Sequence, residues 1–243
     1  MKKLALTTVC ALAMTGAAFS QGFVNWGGVS FTSMTAQTNT SVSPLLGGTG
    51  AGGVAGNTGG AVSTGLGYDY ELLYTTYSGA GALPTIPSLA SLLQWSDAGL
   101  SATNSNTAGR LQVISPNNAA SVPWAAGVTD GIVVVGWSAD LGSSWSSVSN
   151  LLAAAAAGNN APLRAQLAGN QGFFGVSTTG FIAAGSSSIA GATVFATAPV
   201  SGTGTPIFSL NTPLYLVPVP EPTTLALAGL GGLSLLLFRR QRK

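Results

Sequence analysis

The clearest secondary-structure signal in this chain is the run Tyr68-Asp69-Tyr70-Glu71-Leu72-Leu73-Tyr74-Thr75-Thr76-Tyr77. Large apolar side chains alternate in it with polar ones, and such an alternation is typical of a strand with one face in the core. The run therefore predicts a half-buried strand. The side chains expected on its buried face are Tyr68, Tyr70, Leu72 and Tyr74.

A second run, Ile132-Val133-Val134-Val135-Gly136-Trp137, contains no polar side chain. A continuous apolar run of this kind predicts a strand that is buried on both faces in the middle of a sheet. The dipeptide Asp130-Gly131 directly before it is a turn signal.

The other segments with strand character are short and lie between turns rich in Gly, Ser and Thr. This pattern predicts a mainly β body, a β-sandwich or jelly roll that carries a short helical insertion. Residues 47–67, nearly half of them Gly, are expected to form a flexible surface loop. Residues 21–34 are predicted to form a strand or hairpin, and the further predicted strands are residues 109–114, 173–176, 181–182, 193–195 and 206–217. The predicted helices are residues 88–95, 146–157 and 160–167.

The first part of the chain has the features of a secretory signal peptide. A basic start precedes an apolar run from Leu4 to Ala13, and Ala18 and Ser20 are small residues at the two positions that a signal peptidase reads. We therefore expect residues 1–20 to be removed on export and residues 21–219 to form an exported domain.

That domain lacks the side chains that most enzymes use. The chain has no His, and its single cysteine, Cys10, lies in the predicted signal peptide. A Ser-His-Asp triad, a Cys-His pair and the usual zinc and haem sites all need one of these residue types. We therefore expect no catalytic residue of the common kinds, no metal and no cofactor.

Charge excludes a further class of function. Between residues 21 and 219 five acidic residues stand against two basic ones, Arg110 and Arg164. Nucleic-acid binding needs clustered cations for phosphate contacts, so we expect no nucleic-acid partner.

Carboxylates are the catalytic side chains that remain. Asp69 and Glu71 lie two positions apart and share one strand face, so they are candidates for a glycosidase pair, which needs two carboxyls about 5–9.5 Å apart. The simpler interpretation places them on the solvent side of the strand. Asp130 and Asp140 lack the dense Asp spacing of a calcium loop, and we interpret them as turn residues.

Five tryptophans offer flat apolar faces that can stack on sugar rings. Core packing is the default role for each of them. Trp124 and Trp145 have the most polar surroundings in the sequence, and we expect them to be the exposed ones and the candidates for ligand stacking.

The last 24 residues read as a membrane segment. The triplet Pro220-Glu221-Pro222 precedes an uncharged apolar block, Leu225 to Phe238, and the predicted transmembrane helix covers about residues 223–238. The 14-residue block spans only about 21 Å, against about 30 Å of hydrocarbon, so it is short for a free-standing span. A basic end, residues 239–243, should stay cytoplasmic and so set the topology. Its cations are Arg239, Arg240, Arg242 and Lys243.

This triplet, span and basic end, in that order at the C-terminus, resemble the PEP-CTERM sorting tail of exopolysaccharide-producing Gram-negative bacteria. The resemblance implies that the tail inserts into the inner membrane and is cut near Pro220-Glu221-Pro222 by a membrane-embedded thiol enzyme, the exosortase. The resemblance covers about a tenth of the chain. It indicates where the protein is sent and says little about its activity.

The sequence therefore predicts an exported protein that is first anchored in the inner membrane and then sorted to the surface or the extracellular matrix. We expect it to be non-catalytic and associated with exopolysaccharide. A glycan- or ice-binding module is the alternative, since similar tails occur on some ice-binding proteins, although the Thr203-x-Thr205 spacing that ice binding favours does not repeat. A carboxylate-dependent glycoside hydrolase is a weaker alternative.

Overall fold

The computed structural model describes residues 21–27, 34–50, 54–57, 67–79, 81–115, 119–186, 191–196, 204–208 and 211–218. Within them the chain is mainly β, with twelve strands and three short α-helices. The strands are β1 (Gly22–Val24), β2 (Thr35–Val42), β3 (Val54–Asn57), β4 (Tyr68–Thr76), β5 (Ser96–Asn104), β6 (Leu111–Ser115), β7 (Ala120–Val122), β8 (Thr129–Ser138), β9 (Phe173–Val176), β10 (Gly180–Ala183), β11 (Gly204–Thr205) and β12 (Asn211–Leu216). The helices are α1 (Leu89–Leu92), α2 (Trp145–Ala156) and α3 (Ala161–Leu167), with 3₁₀ turns at Pro44–Leu46 and Ala139–Leu141.

Ten of these strands form one mixed sheet that curls into a half-barrel, in the order β3-β2-β12-β9-β8-β4-β5-β6. One edge of β8 is shared by two strands, because β9 pairs with its second half and β10, which also pairs with β11, with its first half. Among the strand pairs of the described residues, β12 and β2 are the one parallel pair. The remaining strands, β1 and β7, form a separate antiparallel ribbon.

Strand β8 is the centre of the sheet, and nine of its ten residues are buried. It pairs with β4 over nine of its ten residues, from Tyr68 opposite Ser138 to Thr76 opposite Asp130. Successive side chains of a strand point to opposite faces, so a strand that is buried on both faces must be apolar throughout. The central position predicted for Ile132–Trp137 is confirmed.

The sheet has a hydrophobic core on each face. The helix-side core lies under α1, α2 and α3 and consists of Leu73, Leu89, Leu92, Trp95, Val133, Val135, Trp137, Leu141, Trp145, Val148, Leu152, Leu163, Leu167, Phe174 and Val217. The strand-side core consists of Val24, Trp26, Met34, Ala36, Tyr68, Tyr70, Leu72, Ala98, Leu100, Ala102, Leu111, Ala120, Val122, Trp124, Ile132, Val134, Ile182, Ala184, Ala192, Val194, Phe195, Ile207 and Leu214. Tyr68, Tyr70 and Leu72 share the strand-side face, and Tyr74 packs against it, so the face predicted for β4 is confirmed.

The two longer helices follow from local sequence signals. Ser144 caps α2, since its side chain accepts a hydrogen bond from the backbone N–H of Ser147. Its buried residues, Trp145, Val148 and Leu152, recur with helical spacing and pack in the helix-side core, as expected for an amphipathic helix. A proline in the first turn starts α3, and Ala168 ends it in the left-handed region at φ 47°. The predicted helices near residues 146–157 and 160–167 are confirmed, and α1 confirms the third.

The structure differs from the sequence prediction in three respects. One large curled sheet, covered on one face by helices, stands where two packed sheets of a sandwich or jelly roll were expected. The predicted loop 47–67 contains β3, which pairs with β2 through its backbone and so tolerates Gly and Ala. Asp130 and Gly131 form no turn, because they lie inside β8 and pair with β4 and β10.

The described chain enters and leaves at opposite ends of the sheet. Gly22 donates its N–H to the carbonyl of Trp124, and Ala184, which would contact a side chain at Gly22, pairs with Val128 at the start of β8. Val217, by contrast, donates to Gly172, next to the far end of β8. Ten strand residues separate these ends by about 30 Å. No helix of the described residues is long and apolar enough to cross a membrane.

Candidate functional site

The point at which the chain leaves the sheet is held by two backbone hydrogen bonds. The N–H of Val217 donates to the carbonyl of Gly172 at 2.9 Å, and the N–H of Ser43 donates to the carbonyl of Leu216 at 2.9 Å. These bonds fix the backbone up to the residue before Pro218. The exit of the chain toward residue 219 is therefore a defined place on the surface.

Two cavities adjoin this exit and share Leu45. The larger one, of about 460 Å³, lies between the 3₁₀ turn Pro44–Leu46, the end of α2 and the exit itself. It is lined by Leu45, Leu46, Ala155, Ala156, Asn160, Val217 and Pro218. The smaller one, of about 220 Å³, is lined by Ser43, Pro44, Leu45, Gly175, Val176, Pro213 and Tyr215. Together we call them the exit groove, and its lining is apolar apart from Ser43, Asn160 and Tyr215.

The hydroxyl of Ser43 is the unusual polar group of the exit groove. Ser43 is 1% exposed, and its Oγ has no hydrogen-bond partner among the described residues. The backbone of Ser43 is fully used, because its carbonyl accepts from Leu46 and Gly48. A buried hydroxyl without a partner is costly, so a group that bonds to it would bind favourably there.

Glu71 links the central strands to α2. Its Oε1 accepts a hydrogen bond from the backbone N–H of Trp145, the first residue of α2, at 3.3 Å. Its Oε2 is buried and receives no donor from the described residues. Asp97 of the neighbouring strand β5 is hydrogen-bonded to the Glu71 side chain, which requires a proton between the two carboxyls. Glu71 carries this proton, so its carboxyl donates the hydrogen bond and the carboxylate of Asp97 accepts it.

Burial, reinforced by the negative charge of Asp97, raises the pKa of Glu71 from 4.5 to about 7, although the bond from Trp145 opposes the rise. Burial also raises the pKa of Asp69. The simpler interpretation placed both carboxylates on the solvent side of the strand. In the structure both side chains are instead half-buried, on the face of β4 that carries α2.

Asp69 and Glu71, the pair suggested for a glycosidase, lie two positions apart on the same face of β4, and a catalytic role for them stays a prediction. The contact of Glu71 with Asp97 is a different one, since it joins β4 to β5. Sequence patterns gave no hint of Asp97, since it lies 26 positions from Glu71 and meets it only through the pairing of β4 with β5.

The prediction that Trp124 and Trp145 are exposed is wrong, since each is 5% exposed. Trp124 follows β7 and packs against Tyr74, with ring centroids 5.2 Å apart. Trp145 stacks on Phe174 at 6.1 Å in the helix-side core. Polar neighbours in the sequence misled the prediction, because Ser143, Ser144 and Ser146 surround a helix start whose first apolar residue turns inward.

Asp130 is also buried, at 6% exposed, and burial raises its pKa. It lies at one end of β8, whereas Asp140 lies in the 3₁₀ turn beyond the other end, so the structure does not bring them together. Within the described part of the chain no group of three His, Cys, Asp or Glu side chains converges as a metal site would require.

The residues of the two targeting segments lie outside the described residues. They are Ala18 and Ser20 of the predicted signal peptide, the triplet Pro220, Glu221 and Pro222, the predicted helix at residues 223–238, and the basic residues Arg239, Arg240, Arg242 and Lys243.

Residues 218–243 match the family model of the PEP-CTERM protein-sorting motif. The matched segment begins at Pro218, two positions before the triplet Pro220-Glu221-Pro222. No curated protein and no solved structure matches the chain. The chain thus carries a PEP-CTERM sorting motif, which implies export, association with the membrane or surface through the C-terminus, and processing by an exosortase.

Proposed function

We propose that this protein is a non-catalytic component of the cell surface or extracellular matrix, anchored in the inner membrane by residues 220–243 until an exosortase processes it, and associated with exopolysaccharide in its final place. The sorting motif at residues 218–243 is the observation that carries the proposal. Residues 1–20 serve as the signal peptide for export.

The make-up of the domain supports a structural role. Charged residues make up 6% of the chain, and the domain lacks His and Cys altogether. Its most perturbed carboxyl, that of Glu71, is occupied by the N–H of Trp145 and by Asp97. No tryptophan proposed for stacking is free to meet a sugar ring, so association with polysaccharide would use the polar surface formed by Ser, Thr and Asn.

The sorting step is tested by changing the motif while keeping the span. We would express the full chain in a Gram-negative host that has an exosortase and in the same host with the exosortase gene deleted, and follow its size and cell fraction. Wild type should become shorter and leave the inner membrane only when the exosortase is present. Glu221→Ala should stay full-length and membrane-bound in both hosts, because the motif loses its one carboxylate.

Thr224→Ala is the matched control, since it lies in the same tail but outside the triplet, and it should be processed like wild type. Equal processing of Glu221→Ala and Thr224→Ala would contradict sorting through the motif. Processing in the host without exosortase would contradict the choice of enzyme.

A further inference from the structure

The exit groove lies at the end of the domain from which the chain continues to the tail. Val217 and Pro218 are part of its wall, and none of its lining residues carries a charge. Six residues, 219–224, separate Pro218 from the apolar block that starts at Leu225. A chain of this length reaches at most about 25 Å when fully extended.

The shortness of the span brings the domain closer still. Leu225 to Phe238 covers about 21 Å, against about 30 Å of hydrocarbon. A short span is accommodated by thinning of the bilayer and by drawing its flanking residues inward. Part of the linker at residues 219–224 therefore lies in the membrane–water interface, and only the rest of it separates the domain from the bilayer. The end of the domain that carries the exit groove is thus held at the headgroups.

The chemistry of the groove suits one component of that surface. Its larger cavity, about 460 Å³, falls in the range of pockets that bind small ligands, about 300–1,000 Å³. Leu45, Leu46 and Ala155 give it the apolar walls that a hydrocarbon chain needs. The adjoining cavity offers one buried hydroxyl, that of Ser43, which has no partner among the described residues. No cation lines the groove to hold a phosphate.

We propose that the exit groove binds an acyl chain of a phospholipid of the membrane in which the tail is inserted, and that the Ser43 hydroxyl donates a hydrogen bond to the ester carbonyl of that lipid. The proposal rests on the anchoring described under Proposed function. The bound lipid provides a second membrane attachment besides the tail, because it holds the domain against the bilayer. It thereby compensates in part for the weak anchoring of a span that is shorter than the hydrocarbon is thick. The apolar block itself cannot occupy the groove while it spans the membrane.

The test uses the full chain from Gln21, which has no cysteine, in vesicles of phosphatidylethanolamine and phosphatidylglycerol. Ala156→Cys places a bimane label at an exposed position in the wall of the groove. Val128→Cys places the same label at the opposite end of the sheet, where the side chain is 45% exposed. Lipids with brominated acyl chains should quench the label at position 156 several-fold more than the label at position 128.

Flotation of the vesicles separates the two levels of the proposal. A chain that does not float with the vesicles refutes the anchoring itself. A chain that floats but shows equal quenching at both labels overturns the lipid groove and leaves the anchoring intact. Quenching of the label at position 156 by a tryptophan introduced as Leu230→Trp would show that the tail of the same chain fills the groove, and it too would overturn the proposal.

The hydroxyl is tested by a second readout, the phospholipid that stays with the detergent-purified chain, counted by mass spectrometry. Wild type and Ser138→Ala, a buried serine away from the lining, should retain it, whereas Ser43→Ala should lose most of it. Equal retention by Ser43→Ala and wild type would refute the hydrogen bond to the ester carbonyl.

Discussion

The carboxylate of Glu71 and the backbone N–H of Trp145 are 3.3 Å apart, and this bond joins the strand next to the centre of the sheet to the first turn of α2. The N-terminus of a helix favours a negative charge, which should keep Glu71 ionised. Burial and the neighbouring Asp97 act in the opposite direction and are stronger, since the pKa of Glu71 rises to about 7. The link between sheet and helix therefore depends on pH.

We predict that the protein is most stable in mildly acidic solution. The pKa of Glu71 is higher in the folded chain, about 7, than its ordinary value of 4.5, so folding favours the protonated form. The stability that it contributes is fully present below pH 4.5 and is lost as the pH rises through 7. We expect the free energy of unfolding to fall by about 1–2 kcal/mol over this interval, because solvent screens a half-buried group.

Thermal unfolding of the detergent-solubilised chain from Gln21, measured between pH 4.5 and 8, checks this. Glu71→Gln should flatten most of the fall, while Asp140→Asn, in a turn outside the pair, should keep it. Asp69 and Asp130, whose pKa values are also raised, leave a smaller slope of the same sign. Stability that rises with pH in wild type would refute the assignment.

The sequence predicts those parts of the fold in which a residue pattern is compatible with only one secondary structure and one way of burying its side chains. The alternation at Tyr68–Tyr74 and the apolar run at Ile132–Trp137 can be buried only as the structure buries them. Strands β2 and β5 were missed because their residues are small and polar and their pairing, not their composition, makes them strands. The choice between a sandwich and one curled sheet depends on distant pairings such as β12 with β2, which no local pattern reveals.

The same division applies to the candidate site. The sorting motif is a contiguous signal, and the sequence alone identified it. The exit groove is built from Leu45, Ala155 and Val217, which come from three separate parts of the chain and are ordinary apolar residues in each. The pairing of Glu71 with Asp97 likewise needs the register of two strands.

We predict that Gly175→Ala destabilises the protein strongly. A Cβ at Gly175 would lie 2.0 Å from the carbonyl oxygen of Pro213, so the backbones of β9 and β12 would have to separate. Overpacking of this kind costs about 1–3 kcal/mol or more. At Gly67 the nearest atom, the Cβ of Ala139, is 3.5 Å away, an ordinary contact. Chemical denaturation should show a large loss for Gly175→Ala and a change within about 0.5 kcal/mol for Gly67→Ala; equal losses would disprove the close approach.

A pair of buried serines allows a test of hydrogen-bond accounting. Ser138 is 0% exposed, and its Oγ accepts the N–H of Phe173 at 3.0 Å, whereas the Oγ of Ser43 has no partner among the described residues. In lipid-free detergent Ser138→Ala should cost about 1–3 kcal/mol, because it leaves a buried N–H unpaired. Ser43→Ala should be neutral or slightly stabilising. A loss on Ser43→Ala as large as that on Ser138→Ala would show that the hydroxyl is already bonded.

The last prediction concerns the basic end of the tail, Arg239, Arg240, Arg242 and Lys243. We expect these cations to hold the C-terminus on the cytoplasmic side, because moving charge through the hydrocarbon is costly. The block before them is short and contains three glycines, at positions 229, 231 and 232, so it gains little from insertion by itself. Replacement of all four cations by Ser should therefore let the block slip through the membrane and release the full-length chain.

The release differs from the effect of Glu221→Ala, which should keep the span and its basic stop and lose only processing. We expect prolines 220 and 222 to favour an extended triplet and to disfavour a helix start before Thr223. The substitution at Glu221 should therefore change the side chain proposed for recognition and leave the anchor intact. Cell fractionation with sizing on gels distinguishes the two variants, since one yields full-length soluble protein and the other full-length membrane protein. A four-Ser variant that stays in the membrane would mean that the apolar block anchors the domain without the basic residues. The topology would then have to be set at the other end of the span, by the folded domain that the exit groove holds against the bilayer.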